Sequence, residues 1–453
     1  MNTKNIDMCN GSLFRSILKF VVPFMLTGMM QQLYNTADMI VVGRYAGEAA
    51  LAGVGTTGPL INLIINFFIG LSTGVSVVFG RTLGANDTEG AKKILHTAIS
   101  ISIVGGLALS VFGIVFAEPL LRVIDVPESV LPQAKLYMQI IFAGKMPALV
   151  YNFGAAVLNA KGDTKRPLYI ITISGVINVG FNLLFVLCFG MAADGVGLAT
   201  AISQIFSAIA VLFVLAKEKD EVKLNLRKLR IDKKQTVNIL KVGVPSGVQS
   251  TVFSVANVLV QSSVNGFGAA AIAGSSAAAS IGNFYLILLN AFFNTSIVFV
   301  SHNMGAKKYD RIKKVIGCCL TYVSIIWAAE IVLTLVAGET LVSWYAPGNT
   351  EAIRMGVIKL NIIGCTYGLC GCMNVMSGAL RGMGYSFSSM IISIAGVCGI
   401  RILWVLTVFE MVKDFGVLYL SYPLSWIGTF LMHTTFFFVA IRRLNKKKRL
   451  QKQ

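Results

Sequence analysis

The chain has 453 residues, 55% of them hydrophobic and only 13% charged, with a mean hydropathy of +0.73 and a formal net charge of +19. A soluble chain carries about 25% charged residues, so a soluble enzyme or nucleic-acid-binding protein is excluded. The basic surplus is expected to report membrane topology instead.

Apolar runs of about 20 residues recur from end to end, each long enough to span a hydrocarbon core. The alternating strands of an outer-membrane barrel are absent. The fold class is therefore an all-α polytopic membrane protein. Twelve spans are expected, near 17–42, 49–79, 94–117, 132–158, 167–190, 195–216, 237–263, 270–300, 314–337, 352–380, 386–409 and 416–441. The N-terminal MNTKNIDMCNGSLFRS lacks the apolar core and cleavage site of a signal peptide, so the first span is expected to stay as an anchor. Pro23 and Pro245 are candidate bend points.

In the first span Gln31, Asn35 and Asp38 fall at i, i+4 and i+7 and share one helix face. An acid at bilayer depth costs roughly 2.5–3.5 kcal/mol on insertion scales, and such residues usually face a cavity or a partner. Asp38 is thus a candidate working site, or else a structural hydrogen-bond anchor near the membrane surface.

Polar stripes continue along the chain. Span two has Asn62 and Asn66 one turn apart, and span five repeats that spacing with Asn178 and Asn182. Span six has Thr200, Gln204 and Ser207 on one face, and span seven has Ser250, Ser254, Asn257 and Gln261. Span eight has Asn283, Asn290 and Asn294. Amides in hydrocarbon must find partners, so each stripe faces the bundle interior or a cavity, as interhelical glue or as part of a central polar cavity. The other charges at depth are Lys145, Glu330 and Arg401. Lys145 is read either as a competitor for Asp38 or as a snorkelling or paired lysine; Arg401 and Glu330 are expected to pair.

The eight cysteines show neither a disulfide framework nor zinc spacing, and His96, His302 and His433 are too scattered for a metal site. No clustered nucleophile, base or metal set is present, so neither an enzyme nor a cofactor is expected. The many methionines and aromatics suit lipid-facing packing, or an adaptable pocket.

Basic residues gather at the N-terminus, after spans two, four and eight, and in the tail RRLNKKKRLQKQ, which places both termini in the cytoplasm. The hydrophilic stretch 217–235 divides the chain into an N-lobe (1–216) and a C-lobe (236–441), followed by a basic tail (442–453). The halves resemble each other at a shift near 221: AALAG at 49–53 answers AAIAG at 270–274, Asn62 answers Asn283, and AKKI at 91–94 answers IKKV at 312–315. A duplicated six-span unit is a transporter signature.

At this point the chain resembles the multidrug and toxic compound extrusion (MATE) transporters. The specific pieces are QQLYNTADMIVVGR at 31–44, ALAGVGTTGP at 50–59 and LNAKGDTKRP at 158–167, together with the repeat. The resemblance implies a V-shaped pair of pseudo-symmetric six-helix lobes that alternates access. It also implies export of a small hydrophobic molecule in exchange for inward H⁺ or Na⁺, from a monomer in the plasma membrane. The likeness is closer to the DinF-like branch, because span seven carries no acid and span ten offers only Glu351 at its end. That branch implies an N-lobe coupling site on Asp38, Asn178 and Thr200. Asn182 departs from it, since a second Asp is expected there; an amide removes one carboxylate and weakens a Na⁺ cage. Gln31, Asn35, Asn62, Asn66, Lys145, Gln204, Asn257, Gln261 and Asn283 are the candidate substrate-cavity residues. A lipid-linked oligosaccharide flippase of the same superfamily is the alternative reading, towards which Lys145 and Arg401 lean.

Overall fold

The computed structural model describes residues 6–41, 48–123, 126, 128 and 130–450, with only the backbone described at 48–56, 59–60 and 447–449. The motif residues 42–44 and Asp125 lie outside the described residues.

The chain forms fifteen described α-helices: α1 (Leu13–Val41), α2 (Glu48–Gly84), α3 (Thr88–Val115), α4 (Ala117–Val123), α5 (Leu131–Ala143), α6 (Lys145–Ala160), α7 (Lys165–Leu183) and α8 (Ala193–Ala216). They continue with α9 (Lys233–Asn265), α10 (Ala269–Gly305), α11 (Tyr309–Tyr345), α12 (Thr350–Gly364), α13 (Tyr367–Gly382), α14 (Ser386–Val412) and α15 (Phe415–Leu450). Nine described helices are long and apolar enough to cross a membrane, and two bent pairs raise that to eleven. The twelfth span is α9, whose 33 residues could cross on length alone but carry the Ser/Asn/Gln stripe that dilutes its hydropathy.

Two expected spans are broken. The fourth is α5 and α6, bent by 42° at Gly144. Pro147 has no N–H to offer the carbonyl four residues back, that of Ala143, and Ala143 is where α5 ends. The tenth is α12 and α13, bent by 40°. No proline is involved there; the Thr366 hydroxyl donates to the Ile362 carbonyl at 2.6 Å and the Trp327 indole N–H to the Cys365 carbonyl at 2.8 Å, satisfying groups the helix releases. Pro23 and Pro245, the expected bend points, sit inside the continuous helices α1 and α9.

The chain divides into two compact units: Met1–Asp7 with Val22–Gly247, and Met8–Val21 with Val248–Gln453. In unit 1, α3, α5, α6 and α8 close around a core that includes Phe79, Leu95, Phe153, Val157 and Val211. The first half of α9 lies against α2 almost backbone to backbone. A methyl added at Gly70 would stand 2.3 Å from the Gly247 nitrogen, and one at Gly74 2.3 Å from the Ile239 carbonyl. Glycines four apart on both helices make that approach possible.

The segment 217–232 is folded onto unit 1. Lys161 bonds Asp220 at 3.0 Å and the Val222 carbonyl at 2.6 Å, and is ion-paired with Glu218. Arg166 pairs with both Asp163 and Glu218. His96 accepts from the Asn225 N–H, and the Thr97 hydroxyl accepts from the Asp232 N–H.

In unit 2, α10 packs against α11, α12 and α13, and α13 packs against α15. The segment before α1 is held here much as the segment before α9 is held on unit 1. Asn303 donates to the Met8 carbonyl, Lys308 to Cys9 and Asn10, and Arg311 to Asn10 and Gly11. Phe20 meets Phe299 edge to face at 5.6 Å. All eight cysteines are free thiols.

Candidate functional site

Within unit 1, α1 meets α7 through a knob and a notch. Tyr34 lies so close over Gly175 that any β-carbon there would fall 1.7 Å from the ring. The Tyr34 hydroxyl donates to the Ile171 carbonyl at 2.6 Å, with the Thr172 carbonyl at 3.1 Å. Tyr34 and Asp38 are one helical turn apart, and Gly175, Asn178 and Asn182 follow at i, i+3 and i+7, so seating the tyrosine sets the acid against the two amides.

The half-buried Asp38 accepts a hydrogen bond from Asn182 Nδ2 through Oδ1. The same Asn182 amide nitrogen lies 3.3 Å from Asn178 Oδ1, and Asn178 Nδ2 donates to Thr200 Oγ1 at 3.4 Å. From α8, the Thr200 hydroxyl donates to the Val196 carbonyl at 2.9 Å and stands 3.5 Å from Asp38 Oδ2. Asn178 is buried and Asn182 fully so, and Asn182 Oδ1 has no hydrogen-bond partner. Two residues after Asn182 a π-helical turn begins, Leu184–Cys188, a local widening common at functional positions. Beyond Asp38 lies an apolar patch of Val41, Val186, Ala193 and Val196, against which Tyr137 packs, within electrostatic reach of the carboxyl.

This group can carry one charge and change it. Ionised Asp38 accepts from the Asn182 amide nitrogen, whereas a protonated Asp38 could donate to an amide oxygen, and amides offer both. A small cation would find carboxylate, amide and hydroxyl oxygens at the same place, including the unpartnered Asn182 Oδ1. Among the described residues there is no cluster of three or more histidine, cysteine or acidic side chains that could hold a metal ion.

The four residues expected from the sequence at the coupling site thus lie together. Gln31 and Asn35 are exposed on α1, and Gln204 is half-buried one turn beyond Thr200; no hydrogen bond ties any of them to Asp38. Asn62 is exposed and Asn66 half-buried on α2. Lys145 is buried at the start of α6, with no ion pair to Asp38 or to any other described acid. In unit 2 Asn283 is exposed, Gln261 bonds Asn265 at 3.2 Å, and Asn257 accepts from Arg401 at 3.1 Å.

One expected pairing fails. Arg401 and Glu330 do not form an ion pair: Arg401 bonds Ser425 and Asn257, while Glu330 is buried with neither carboxylate oxygen hydrogen-bonded. Tyr34 was not singled out from the sequence, although its place four residues before Asp38 was visible. Lys359 was missed as well, its ammonium bonding the Ser275 carbonyl and hydroxyl at 2.9 Å.

The family model described as MatE matches the chain twice, at residues 23–184 and 245–406, two stretches that start and end 222 residues apart. The chain is 29% identical to the "Probable multidrug resistance protein YoeA" of Bacillus subtilis over 93% of its own length and 92% of the relative's. It is 25% identical to the "Probable multidrug resistance protein YpnP" of the same organism, over 86% of this chain and 87% of that one. Among solved structures it superposes on MATE in complex with MaL6 with a TM-score of 0.92 at 20% identity, covering 98% of this chain and all of the other, a likeness of fold. The chain belongs to the MatE family and has its twelve-span fold.

Proposed function

We propose that this MatE-family chain is a secondary active antiporter that exports hydrophobic, cationic drugs or metabolites in exchange for H⁺ by alternating access. The single observation that carries the reading is Asp38, one carboxyl hydrogen-bonded by the Asn182 amide and facing the Thr200 hydroxyl, with Asn178 bridging those two, drawn from three helices of unit 1. With Asn182 in place of a second acid, the site keeps one protonatable carboxyl while a Na⁺ cage there loses one charged ligand. Facing outward, Asp38 takes a proton and the cavity releases its substrate; facing inward, it gives the proton up and substrate binds again. Coupling requires only that proton and substrate differ in affinity for the two states.

The only acid in α12, Glu351, sits in its exposed first turn paired with Arg354, which supports a coupling site in unit 1 and the DinF-like branch. The drug-resistance names of the relatives favour drug export over a lipid-oligosaccharide flippase. In this reading the chain works as a monomer in the plasma membrane, and the basic loops support placing both termini in the cytoplasm.

The test is export of one fluorescent cationic dye in vesicles, driven by a pH jump or by a Na⁺ jump, with a labelled lipid-linked oligosaccharide alongside. Dye movement on the pH jump is expected. Movement on the Na⁺ jump alone would transfer the site to Na⁺, and movement of the lipid alone would overturn the export reading.

A further inference from the structure

Glu330 stands near the middle of the 37-residue helix α11 and is only 3% exposed. Neither of its carboxylate oxygens takes a hydrogen bond, and no cation pairs with it among the described residues. The fold does not call for an acid at this place. The repeat sets AKKI at 91–94 on IKKV at 312–315, a shift of 221 from α3 to α11, and the position 221 before Glu330 is Leu109. Leu109 is buried in an apolar cluster of unit 1 with Met138 and Phe142. A leucine fills the corresponding seat in one half, so shape alone does not account for a carboxyl in the other.

The direction Glu330 faces follows from its neighbours. Trp327, Glu330 and Thr334 fall at i, i+3 and i+7 and share one face of α11. Both outer members touch the break in span ten. The Trp327 indole N–H donates to the Cys365 carbonyl, and its ring covers Gly368, where a β-carbon would fall 1.9 Å away. Thr334 lies against Gly364, whose β-carbon would stand 3.0 Å from Oγ1, and its hydroxyl is 3.3 Å from that of Tyr285. Glu330, between them, is set against the break at 365–366, where Cys365 and Thr366 are themselves only half-buried.

No positive charge meets it there. The titratable groups within electrostatic reach of Glu330 are Tyr285 from α10 and Tyr367 and Cys370 from α13. The other helices packed on α11 turn their groups elsewhere. From α12, Lys359 bonds Ser275 while Glu351 and Arg354 pair with each other. From α15, Tyr419 bonds Ser275 and Tyr422 lies under the Arg401 guanidinium. An ionised Glu330 would be a bare charge at membrane depth, which is costly. A proton removes that charge and needs no cavity. Broken spans are also where transporters hold small cations near the bilayer midplane.

We propose that Glu330 is a proton-binding site of unit 2, separate from Asp38, which takes up and releases a proton at the break in span ten. The binding itself does not depend on the antiport reading. Its use in transport rests on that reading and adds a second proton to the cycle.

The test follows neutral carboxylic acids directly, by their infrared C=O band, in purified full-length protein in detergent. Asp38→Asn removes the carboxyl of the other site. Titrated from about pH 4 to about pH 10, this variant should show a carboxylic-acid band that fades as the pH rises, and Glu330→Gln added to it should abolish that band. Glu330→Leu, the residue of the repeat, takes its place should the glutamine variant not fold. In vesicles, Glu330→Gln alone should move about one proton fewer per dye than the wild type. A Glu330-dependent band that is missing at every pH, or that persists unchanged to the alkaline end, would overturn the proposal. An unchanged proton-to-dye ratio would overturn its part in transport. Failure of the antiport reading looks different: Asp38→Asn would export at the wild-type rate while the Glu330 band still titrates.

Discussion

The contact between Tyr34 and Gly175 sets the position of Asp38 without touching it, and Gly175→Ala therefore tests the whole arrangement. The new methyl would meet the tyrosine ring at 1.7 Å, about 2 Å closer than an ordinary carbon–carbon contact. Either the ring rotates out or α1 moves away from α7 by a comparable amount. Overpacking of this kind costs about 1–3 kcal/mol, and losing the Tyr34–Ile171 hydrogen bond adds about 1 kcal/mol. A shift of about 1 Å or more also takes Asp38 Oδ2, already 3.5 Å from Thr200, out of hydrogen-bond reach. Proton-driven dye export by Gly175→Ala should fall about tenfold or more, since a loss near 1.4 kcal/mol at the coupling step already gives that factor. The melting temperature should drop by a few degrees. Tyr34→Ala in the same chain removes the ring, and should recover stability while export stays low because α1 has lost its register. The comparison uses initial rates in vesicles and thermal unfolding in detergent. Wild-type export and wild-type unfolding in Gly175→Ala would refute the account.

Further expectations follow from other contacts. Asn182→Asp puts a second carboxylate beside Asp38, and two touching acids do not both ionise without a counter-cation; dye export should become stimulated by Na⁺, which a comparison of initial rates with and without Na⁺ reads directly. Lys161→Ala leaves the buried Glu218 with Arg166 alone and releases Asp220 and the Val222 carbonyl; limited proteolysis should then cut within 217–232, where the wild type resists. Beyond α3, Lys135 and then Arg122 hydrogen-bond Glu118 and hold its carboxyl below the usual glutamate range. The stability this pairing gives is present above the ordinary glutamate pKa of about 4.3 and is lost as the pH falls through the lower folded value. Glu118→Gln should accordingly lower the melting temperature slightly at pH 7, with the difference from wild type vanishing in acid.

How much of this was visible in the sequence depended on whether a residue's role was local to its own helix. Asp38 stood out because an acid in a lipid-length segment has few explanations, and Asn178 and Asn182 because their spacing puts them on one face. Tyr34 did not stand out: an aromatic residue in a membrane helix looks the same whether it faces lipid or fills a notch, and the notch is a glycine 141 positions away. The mistaken pairing of Arg401 with Glu330 has the same origin, since charge alone cannot say which helices are neighbours. Arg401 is satisfied instead by Ser425, Asn257 and a ring face, partners that carry no charge and so leave no signal in a charge count. The break at Gly144 is only half legible in the sequence, because Pro147 is plain to see but the residue it disturbs, Ala143, lies four positions earlier.

The most direct measurement of the central claim is pH-jump-driven export by Asp38→Asn in vesicles, with dye binding to the purified variant measured alongside. The variant keeps the size and most of the hydrogen bonding of Asp38 but cannot take up a proton. The account predicts dye binding close to wild type and no export driven by the pH jump. Gradient-driven export at the wild-type rate would contradict it.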